Sequence, residues 1–249
     1  MAMAGAGGNG ADVAALNPEH AIRQEKRQMR TAVRRKLREF AAAQRQIEDA
    51  AIQHHVLDAP WFKNSKRLCA YVSCAALREV DTTKIVAHIF NPDDPGQAKK
   101  LYLPRVQDKQ SHMQMLHVKS YDDLVPNSMT ILEPEPVDKS GSPREDVLDT
   151  DEPLDLLLLP GLAFDLSGRR LGRGGGYYDC LLSKILESNE SKGWKRPLLV
   201  ALAYSPQIVD GSVPVDETDV PVDALVRASG VTAISPYARQ QILTDEAKF

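Results

Sequence analysis

The run Leu154-Asp-Leu-Leu-Leu-Leu159 constrains the fold of this chain more than any other segment. A strand with so few polar positions must be covered on both faces, as strands are inside a parallel sheet. Similar apolar runs occupy residues 68–73, 198–204 and 224–227, and helical patterns separate them. We therefore expect an α/β fold with a doubly wound, mostly parallel sheet and flanking helices, which is a Rossmann-like three-layer architecture.

The other periodic segments predict the remaining elements. A helical pattern extends from residue 18 to about residue 54, with apolar side chains on one face and Arg and Lys on the other. Further helices are predicted at 81–90, 177–188 and 237–247, and further strands at 100–104 and 112–118. Strands and helices thus alternate along most of the chain, as a doubly wound sheet requires.

The length of 249 residues fits one main domain with one substantial core. We expect residues 1–17, which are rich in Ala and Gly and contain no Lys or Arg, to form a disordered leader. Residues 18–249 then form a single α/β domain. Within it, residues 133–153 are rich in Pro, Asp, Glu and Ser without periodicity, and they predict a flexible surface loop.

The charge balance and the cysteine content limit the class of protein. A net charge of -3 lacks the basic excess that binding to nucleic acid or to a membrane surface requires. No apolar run approaches the roughly 18–20 residues of a membrane span. The 3 cysteines contain no Cys-x-x-Cys pair, so neither a zinc site nor a disulfide framework is indicated. We expect a protein of the cytoplasm, with the mitochondrion as the alternative.

A glycine-rich segment, Arg170-Leu-Gly-Arg-Gly-Gly-Gly-Tyr-Tyr-Asp179, precedes and opens the helix predicted at 177–188. Its four glycines let the backbone take φ > 0 and bring N–H groups close to an anion. The helix N-terminus adds positive partial charge, and Arg169, Arg170 and Arg173 add guanidinium groups suited to phosphate oxygens. Asp179 could hold Mg²⁺. The segment predicts a phosphate site, with the spacing of neither a Walker loop nor a dinucleotide fingerprint.

Lys26 and Arg30 stand one turn apart on the first predicted helix and could together clamp a polyphosphate. Many other cations share this helix, so most of its charge must form a solvated face. Glu79 follows the strand at 68–73 by a short loop, and Asp219 lies in a polar segment near the end of the chain. Spacing alone assigns these two carboxylates neither to a substrate nor to solvent.

These segments together resemble the 5-formyltetrahydrofolate cyclo-ligase family, also called 5,10-methenyltetrahydrofolate synthetases. The most specific part is Leu159-Pro-Gly-Leu-Ala-Phe-Asp165, followed by the glycine-rich segment. Shorter matching pieces are Lys26-Arg-Gln-Met-Arg30, Ser65-Lys-Arg67, Glu79-Val-Asp-Thr82, Leu103-Pro-Arg105 and Val213-Pro-Val through Asp219. The resemblance covers about residues 26–226.

The resemblance implies an ATP- and Mg²⁺-dependent ring closure of 5-formyltetrahydrofolate, in which ATP phosphorylates the formyl oxygen and N10 then displaces phosphate. The residues implied to bind ATP are Lys26, Arg30, Arg170, Leu171, Gly172, Arg173, Gly174, Gly175, Gly176, Tyr177 and Tyr178. Those implied to bind the folate are Val72, Glu79, Arg173, Gly174, Gly175, Gly176 and Tyr177. Arg173 and Tyr177 are the implied catalytic residues, and Asp179 and Asp219 the implied Mg²⁺ ligands.

Two other functions stay open from the sequence. One is a phosphotransferase on the same scaffold with another acceptor, which the folate-side residues disfavour. The other is a non-catalytic relative that binds nucleic acid through the basic first helix and the glycine-rich segment. Carboxylates at Glu79, Asp179 and Asp219 would repel a nucleic-acid backbone, so we expect an enzyme, acting as a monomer, with no nucleic-acid or membrane partner.

Overall fold

The structure is a computed structural model that describes residues 18–128 and 130–246, and the predicted leader at 1–17 lies outside them. Its helices are α1 (Pro18–Glu39), α2 (Ala42–Asp58), α3 (Pro60–Lys63), α4 (Thr83–Phe90), α5 (Tyr177–Ser191) and α6 (Pro236–Glu246). Its strands are β1 (Arg67–Cys69), β2 (Lys100–Val106), β3 (Met113–Val118), β4 (Leu124–Pro126), β5 (Leu132–Pro134), β6 (Leu156–Leu159), β7 (Ala163–Phe164), β8 (Arg170–Leu171), β9 (Leu198–Leu202), β10 (Ala224–Arg227) and β11 (Gly230–Ala233). None of the helices in this described part is long and apolar enough to span a membrane.

Seven strands form the central sheet in the order β11-β10-β9-β6-β1-β2-β3. The five inner strands pair in parallel, whereas β3 and β11 pair antiparallel at the two edges. Pairs β4–β5 and β7–β8 are separate two-stranded hairpins. The predicted mostly parallel sheet is therefore confirmed.

Alternate side chains of β6 enter two different cores, which shows why its apolar run was so constraining. Leu156 and Leu158 pack in a core with apolar residues of α1, α2, α4 and α6. Leu157 and Leu159 pack on the opposite face with residues of α5. All four side chains are at most 1% exposed. Helices thus cover both faces of the sheet, and the predicted doubly wound, three-layer arrangement is confirmed.

The first predicted helix is in fact two helices, with a break at Phe40 and Ala41. Ala41 takes an extended conformation with ψ 140. The ring of Phe40 packs edge-on against the ring of Tyr204, with centroids 5.6 Å apart. Neither glycine nor proline marks this break in the sequence. The break coincides with a tertiary contact to the loop after β9. The continuous helical period of the sequence therefore could not predict it.

The segment predicted as a surface loop, 133–153, is partly built into the body of the protein. Its side chains Glu133 and Asp146 are buried. Glu145 accepts a hydrogen bond from Lys100 Nζ at 2.6 Å, which ties the segment to the start of β2. The polar composition suggested solvent because it does not reveal such partners. The expectation of a surface loop is wrong at these buried positions.

Candidate functional site

The glycine-rich segment lies beyond the carboxyl ends of β1 and β6, where ligands bind in doubly wound sheets. The short strand β8 forms its first two residues. Residues 172–176, here called the glycine loop, join β8 to the start of α5. The β7–β8 hairpin turns the chain back after β6 before the loop begins. Neither β7 nor β8 is among the strands predicted from the sequence.

Two conformations in the glycine loop require glycine. Gly174 has φ +110 and Gly176 has φ +70, and L-residues with side chains are disfavoured at both. Gly176 is also the N-cap of α5, so its turn directs the helix N-terminus toward the loop. A further constraint acts at Gly175, where an added Cβ would lie 2.6 Å from Cε2 of Tyr177.

Helix α1 contacts the glycine loop through Arg30, one of its two predicted cations, and through Arg34. Arg30 Nε donates to the carbonyl of Gly172 at 2.9 Å, and its guanidinium carbon lies 3.5 Å from the position of a Cβ at Gly174. Arg34 donates in the same way to the carbonyl of Arg173, at 3.2 Å. Because C=O and N–H point in opposite directions across a trans peptide, the N–H groups that follow these carbonyls point away from α1.

Lys26, one turn before Arg30, is held by carboxylates. Its Nζ donates to Asp216 Oδ2 at 2.6 Å and also to Asp219 Oδ2. Burial lowers the pKa of Lys26, but the hydrogen bonds and charges of the two carboxylates outweigh it and raise the pKa above its ordinary value. The contact with Lys26 holds the pKa of Asp216 down, at about 2. Lys26 and Asp216 are therefore charged at neutral pH.

One predicted metal ligand, Asp179, contacts the residue that follows the other, Asp219. Asp179, in the first turn of α5, accepts a hydrogen bond from Arg170 Nη2 at 2.6 Å. The same Asp179 oxygen accepts from the backbone N–H of Val220 at 3.2 Å, which brings it next to Asp219 in the chain. Within residues 18–128 and 130–246, no group of three or more His, Cys, Asp or Glu side chains is arranged to hold a metal by itself.

A cavity of about 180 Å³ opens on the side of the glycine loop that faces the sheet edge. Its apolar lining comes from the ends of β1 and β2, from β3 and from the residues before β5: Tyr71, Val72, Leu77, Pro104, Val106, Met113, Ile131 and Leu132. The polar lining comes from Glu79, Glu133 and the loop residues around Arg173. This volume is smaller than that of pockets that enclose a whole drug-sized ligand. The cavity therefore suits one ring system, with the rest of the ligand outside.

Glu79 and Arg173 form the charged pair of this cavity. Arg173 Nε lies 3.3 Å from Glu79 Oε1, and Arg173 Nη2 donates to the carbonyl of Leu77. The other Glu79 oxygen accepts from the backbone N–H of Cys74 at 3.1 Å. Burial raises the pKa of Glu79 above its ordinary value, and the nearby Arg173 opposes that rise.

The backbone that carries Glu79 is fixed from behind. The hydroxyl of Tyr204 lies 3.1 Å from the carbonyl oxygen of Glu79 and 2.6 Å from Asp49 Oδ1. On the opposite wall, the Tyr177 hydroxyl donates to the carbonyl of Asp108 at 2.8 Å. Both contacts hold cavity residues by groups outside the cavity, so the lining is formed before any ligand arrives.

Most predicted site residues meet at the glycine loop, but on two sides of it. The predicted residues that line the cavity are Val72, Glu79, Arg170, Gly172, Arg173, Gly175, Gly176, Tyr177, Tyr178 and Asp179. Lys26, Arg30 and Asp219 lie on the α1 side, and Gly174 faces Arg30. Two residues do not present side chains to the site. Leu171 is 1% exposed in the core, and Arg169 donates to Ser212 instead.

Several residues of the site were not singled out from the sequence. Asp216 is the clearest, since it lies three positions before Asp219 in the same polar segment and contacts the same lysine. Leu77 and Asp108 contribute backbone carbonyls, for which any residue type serves. Ser111 donates to the carbonyl of Gly175 from the β2–β3 connection. Only Asp216 carried a detectable signal, because a carboxylate near a predicted metal ligand is a candidate in its own right.

Comparison with known proteins finds one family. A sequence model of the 5-formyltetrahydrofolate cyclo-ligase family matches residues 22–228. The chain is 55% identical over 222 residues to the mitochondrial 5-formyltetrahydrofolate cyclo-ligase of Arabidopsis thaliana, covering 89% of this chain and 80% of that protein. It is 35% identical over 208 residues to the cyclo-ligase of Mus musculus, covering 82% of this chain and 94% of that one.

A solved structure gives the same relationship. The NMR structure of Aquifex aeolicus 5,10-methenyltetrahydrofolate synthetase superposes with a TM-score of 0.64 and 30% sequence identity. The superposition covers 84% of this chain and 92% of the bacterial protein. Sequence and fold therefore point to the same group of proteins.

Proposed function

The chain belongs to the 5-formyltetrahydrofolate cyclo-ligase family, and we propose that its glycine loop separates the two substrates of the reaction, with ATP phosphates on one side and folate on the other. The reaction itself converts 5-formyltetrahydrofolate into 5,10-methenyltetrahydrofolate. One observation carries the proposal. The same short loop is contacted by the cations of α1 on one side and forms the wall of a largely apolar cavity on the other.

The chemistry explains why two substrates must meet at one loop. The formyl oxygen on N5 is a poor leaving group until it is phosphorylated. Transfer of the γ-phosphoryl group of ATP to that oxygen releases ADP. The lone pair of N10 then attacks the formyl carbon, the carbon–oxygen bond breaks, and phosphate leaves as N10 loses its proton. The transferring phosphoryl group needs fixed donors around it, which is the main contribution that a protein can make.

We assign the catalytic roles to Arg173 and Tyr177. Arg173 lines the cavity within reach of Glu79, and its guanidinium can neutralise charge that develops as the phosphoryl group meets the formyl oxygen. Tyr177 begins α5, and its ring forms part of the same wall. The Tyr177 hydroxyl is already bonded to Asp108, which fixes the ring as a positioning surface for the reacting groups.

We assign the ATP site to the α1 side and the backbone of the loop. Lys26 and Arg30 supply positive charge from α1. The segment from Arg170 to Tyr178 supplies the guanidinium of Arg170, the N-terminus of α5 and backbone N–H groups other than those of Arg173 and Gly174, which point away from α1. Arg170 is 3% exposed and its Nε has no hydrogen-bond partner, so one donor remains for a ligand oxygen.

The donor set near Asp179 fits Mg²⁺. This ion is held in proteins by one or two carboxylates together with phosphate oxygens, and it does not need a closed protein cage. Asp179 would supply one carboxylate, and Asp219, whose neighbour Val220 donates to Asp179, would supply the other. When bound with ATP, the ion would neutralise charge on the phosphate oxygens.

We place the pterin end of the folate in the cavity. Val72 and the other apolar residues offer surface to a flat ring system, and Glu79 offers a carboxylate that can accept hydrogen bonds from ring N–H groups. The carbonyls and carbons of Gly174 to Gly176 allow the substrate to come close to the loop backbone.

The test is direct. Purified protein is mixed with 5-formyltetrahydrofolate, Mg²⁺ and ATP, and the near-ultraviolet absorbance of the methenyl product is recorded. We expect a signal that needs both ATP and the metal ion. Folded protein that binds ATP but forms no product would instead indicate a phosphotransferase with another acceptor.

Two further proposals concern the state of the protein in the cell. We propose a monomer, which light scattering of the purified chain would test. For the compartment, the 55% identity to a protein named as mitochondrial supports the mitochondrion over the cytoplasm that the sequence suggested. Fractionation of cells that express the full chain with a C-terminal tag would distinguish the two.

A further inference from the structure

The ammonium group of Lys26 already contacts two carboxylates, which belong to the same turn of the chain. Asp216 Oδ2 lies 2.6 Å from Nζ, and Asp219 Oδ2 accepts from the same nitrogen. The Lys26 side chain is only 8% exposed. The proposed function gives Asp219 a role as a metal ligand but gives none to Asp216. Asp216 nevertheless holds the lysine that the proposed function assigns to the ATP phosphates.

The Asp216 carboxylate is fixed in the orientation that places one oxygen on Lys26. Its Oδ1 accepts from the backbone N–H of Thr218 at 3.0 Å and from the Thr218 hydroxyl at 2.6 Å. Its own backbone N–H donates to Asp219 Oδ2 at 2.7 Å. The remaining oxygen, Oδ2, therefore takes one of the three ammonium donors of Lys26, a position that an oxygen of a phosphate group could also occupy.

The charge of Lys26, Asp216 and Asp219 taken together opposes an incoming nucleotide. One positive charge on Lys26 faces two negative charges on Asp216 and Asp219, so the group is net negative before ATP arrives. Asp219 can be offset by a metal ion that arrives with the nucleotide. Asp216 has one oxygen committed to Thr218, and its side chain is 38% exposed at the outer side of Lys26. It can turn into solvent when another anion takes its place.

Resting on the proposed ATP site, we propose that Asp216 is an intramolecular substitute for a nucleotide phosphate. In the empty site it contacts Lys26 and holds that ammonium group beside Asp219. ATP binding displaces it, and the energy of breaking this contact weakens the observed affinity for ATP. Asp216 thus sets nucleotide affinity without taking part in the reaction.

The experiment compares Asp216→Asn with Glu217→Gln by calorimetric titration of the full chain. Glu217 is the neighbouring exposed carboxylate, so its substitution removes the same charge one position away. ATP and inorganic tripolyphosphate are the two probes, each measured with Mg²⁺ and with a chelator. We expect Asp216→Asn to bind both probes about fivefold more tightly than wild type under both conditions, the upper range for a part-exposed ion pair. Glu217→Gln should bind as wild type does.

Equal or weaker binding by Asp216→Asn relative to Glu217→Gln would overturn the proposal. Weaker binding only when Mg²⁺ is present would make Asp216 a metal ligand and would overturn it too. If Asp216→Asn does not fold, Asp216→Ser removes the same carboxylate and is measured in its place.

The ATP assignment is tested separately in the same titrations. The Lys26→Met variant should bind ATP more weakly than wild type. Arg23 is an exposed cation one turn earlier on α1, and the Arg23→Ala variant should bind ATP as wild type does. Unchanged affinity in Lys26→Met would reject the ATP site itself, and the role of Asp216 would fall with it.

Discussion

Arg173 Nε lies 3.3 Å from Glu79 Oε1, although 94 positions separate the two residues in the chain. The pair joins the glycine loop to the segment after β1 and closes the cavity between them. Arg173 also donates to the carbonyl of Leu77, so its guanidinium is held by two groups of that segment. Each partner keeps the other in position, and the predictions below begin with this pair.

Arg173→Ala should lower turnover by about 10²–10³-fold, the usual cost of removing one donor to developing charge. The melting temperature should change little, since the Arg173 side chain is 28% exposed at the cavity edge. Measured in Arg173→Ala, Glu79→Gln and the double variant, kcat/KM for the folate should show a coupling energy of about 1–3 kcal/mol. Additive effects would mean that the two residues act independently.

Glu79→Gln should also change how stability depends on pH. Burial raises the pKa of Glu79 above 4.5, so the folded protein holds this proton more tightly than the unfolded chain does. The stability that this group contributes is fully present below the ordinary pKa and is lost as the pH rises through the raised pKa. At neutral pH the glutamine variant should therefore melt about 2–4 °C higher than wild type.

That gain should shrink as the pH falls through the raised pKa toward 4.5, and it should be gone below 4.5, where wild-type Glu79 is protonated in the folded and the unfolded state. Thermal melts followed by circular dichroism across this range measure it. A difference that stays constant with pH would show that the Glu79 charge carries no net cost in the folded protein.

Asp179→Asn should raise the Mg²⁺ concentration for half-maximal activity by about 10-fold or more, as loss of a metal-supporting group usually does. The amide cannot bind Mg²⁺ as a carboxylate does, and it no longer neutralises Arg170. Glu187→Gln is the matched control, because it removes one exposed carboxylate from the same helix, two turns further along. An unchanged Mg²⁺ requirement in Asp179→Asn would remove Asp179 from the metal site.

Gly176→Ala and Gly193→Ala should separate loop strain from loop function. Both glycines have left-handed backbone, with φ +70 and φ +64, so each substitution should cost about 1–2 kcal/mol of stability. A Cβ at 176 would lie 3.2 Å from Ser111 Oγ, whereas a Cβ at 193 meets nothing within 4 Å. Only Gly176→Ala should lose turnover, by about 10²-fold, since it shifts the start of α5. Equal activity in both variants would contradict this role of the loop.

The sequence predicted the inner sheet because fully buried strands leave a continuous apolar record. It did not predict β11, whose residues are all half-buried and include a glycine. It also missed β7 and β8, since two residues each are too few for a period. The break at Phe40 escaped as well, because Tyr204 lies far away in the chain.

For the site, the residues found from the sequence carry charge or glycine in a recognisable order. Apart from Asp216, the residues that were missed act through contacts that their residue type does not reveal. Leu77 and Asp108 contribute only a carbonyl, and Tyr204 acts behind the cavity through its hydroxyl. The roles assigned to Lys26 and Asp179 stay predictions until the variants are measured.

The contact between Lys26 and Asp219 spans 193 positions of the chain. During synthesis, α1 leaves the ribosome well before the turn that receives its lysine. The proposed nucleotide site therefore cannot form on a nascent chain until that turn has emerged. A chain that ends before this turn would lack both carboxylates that hold Lys26.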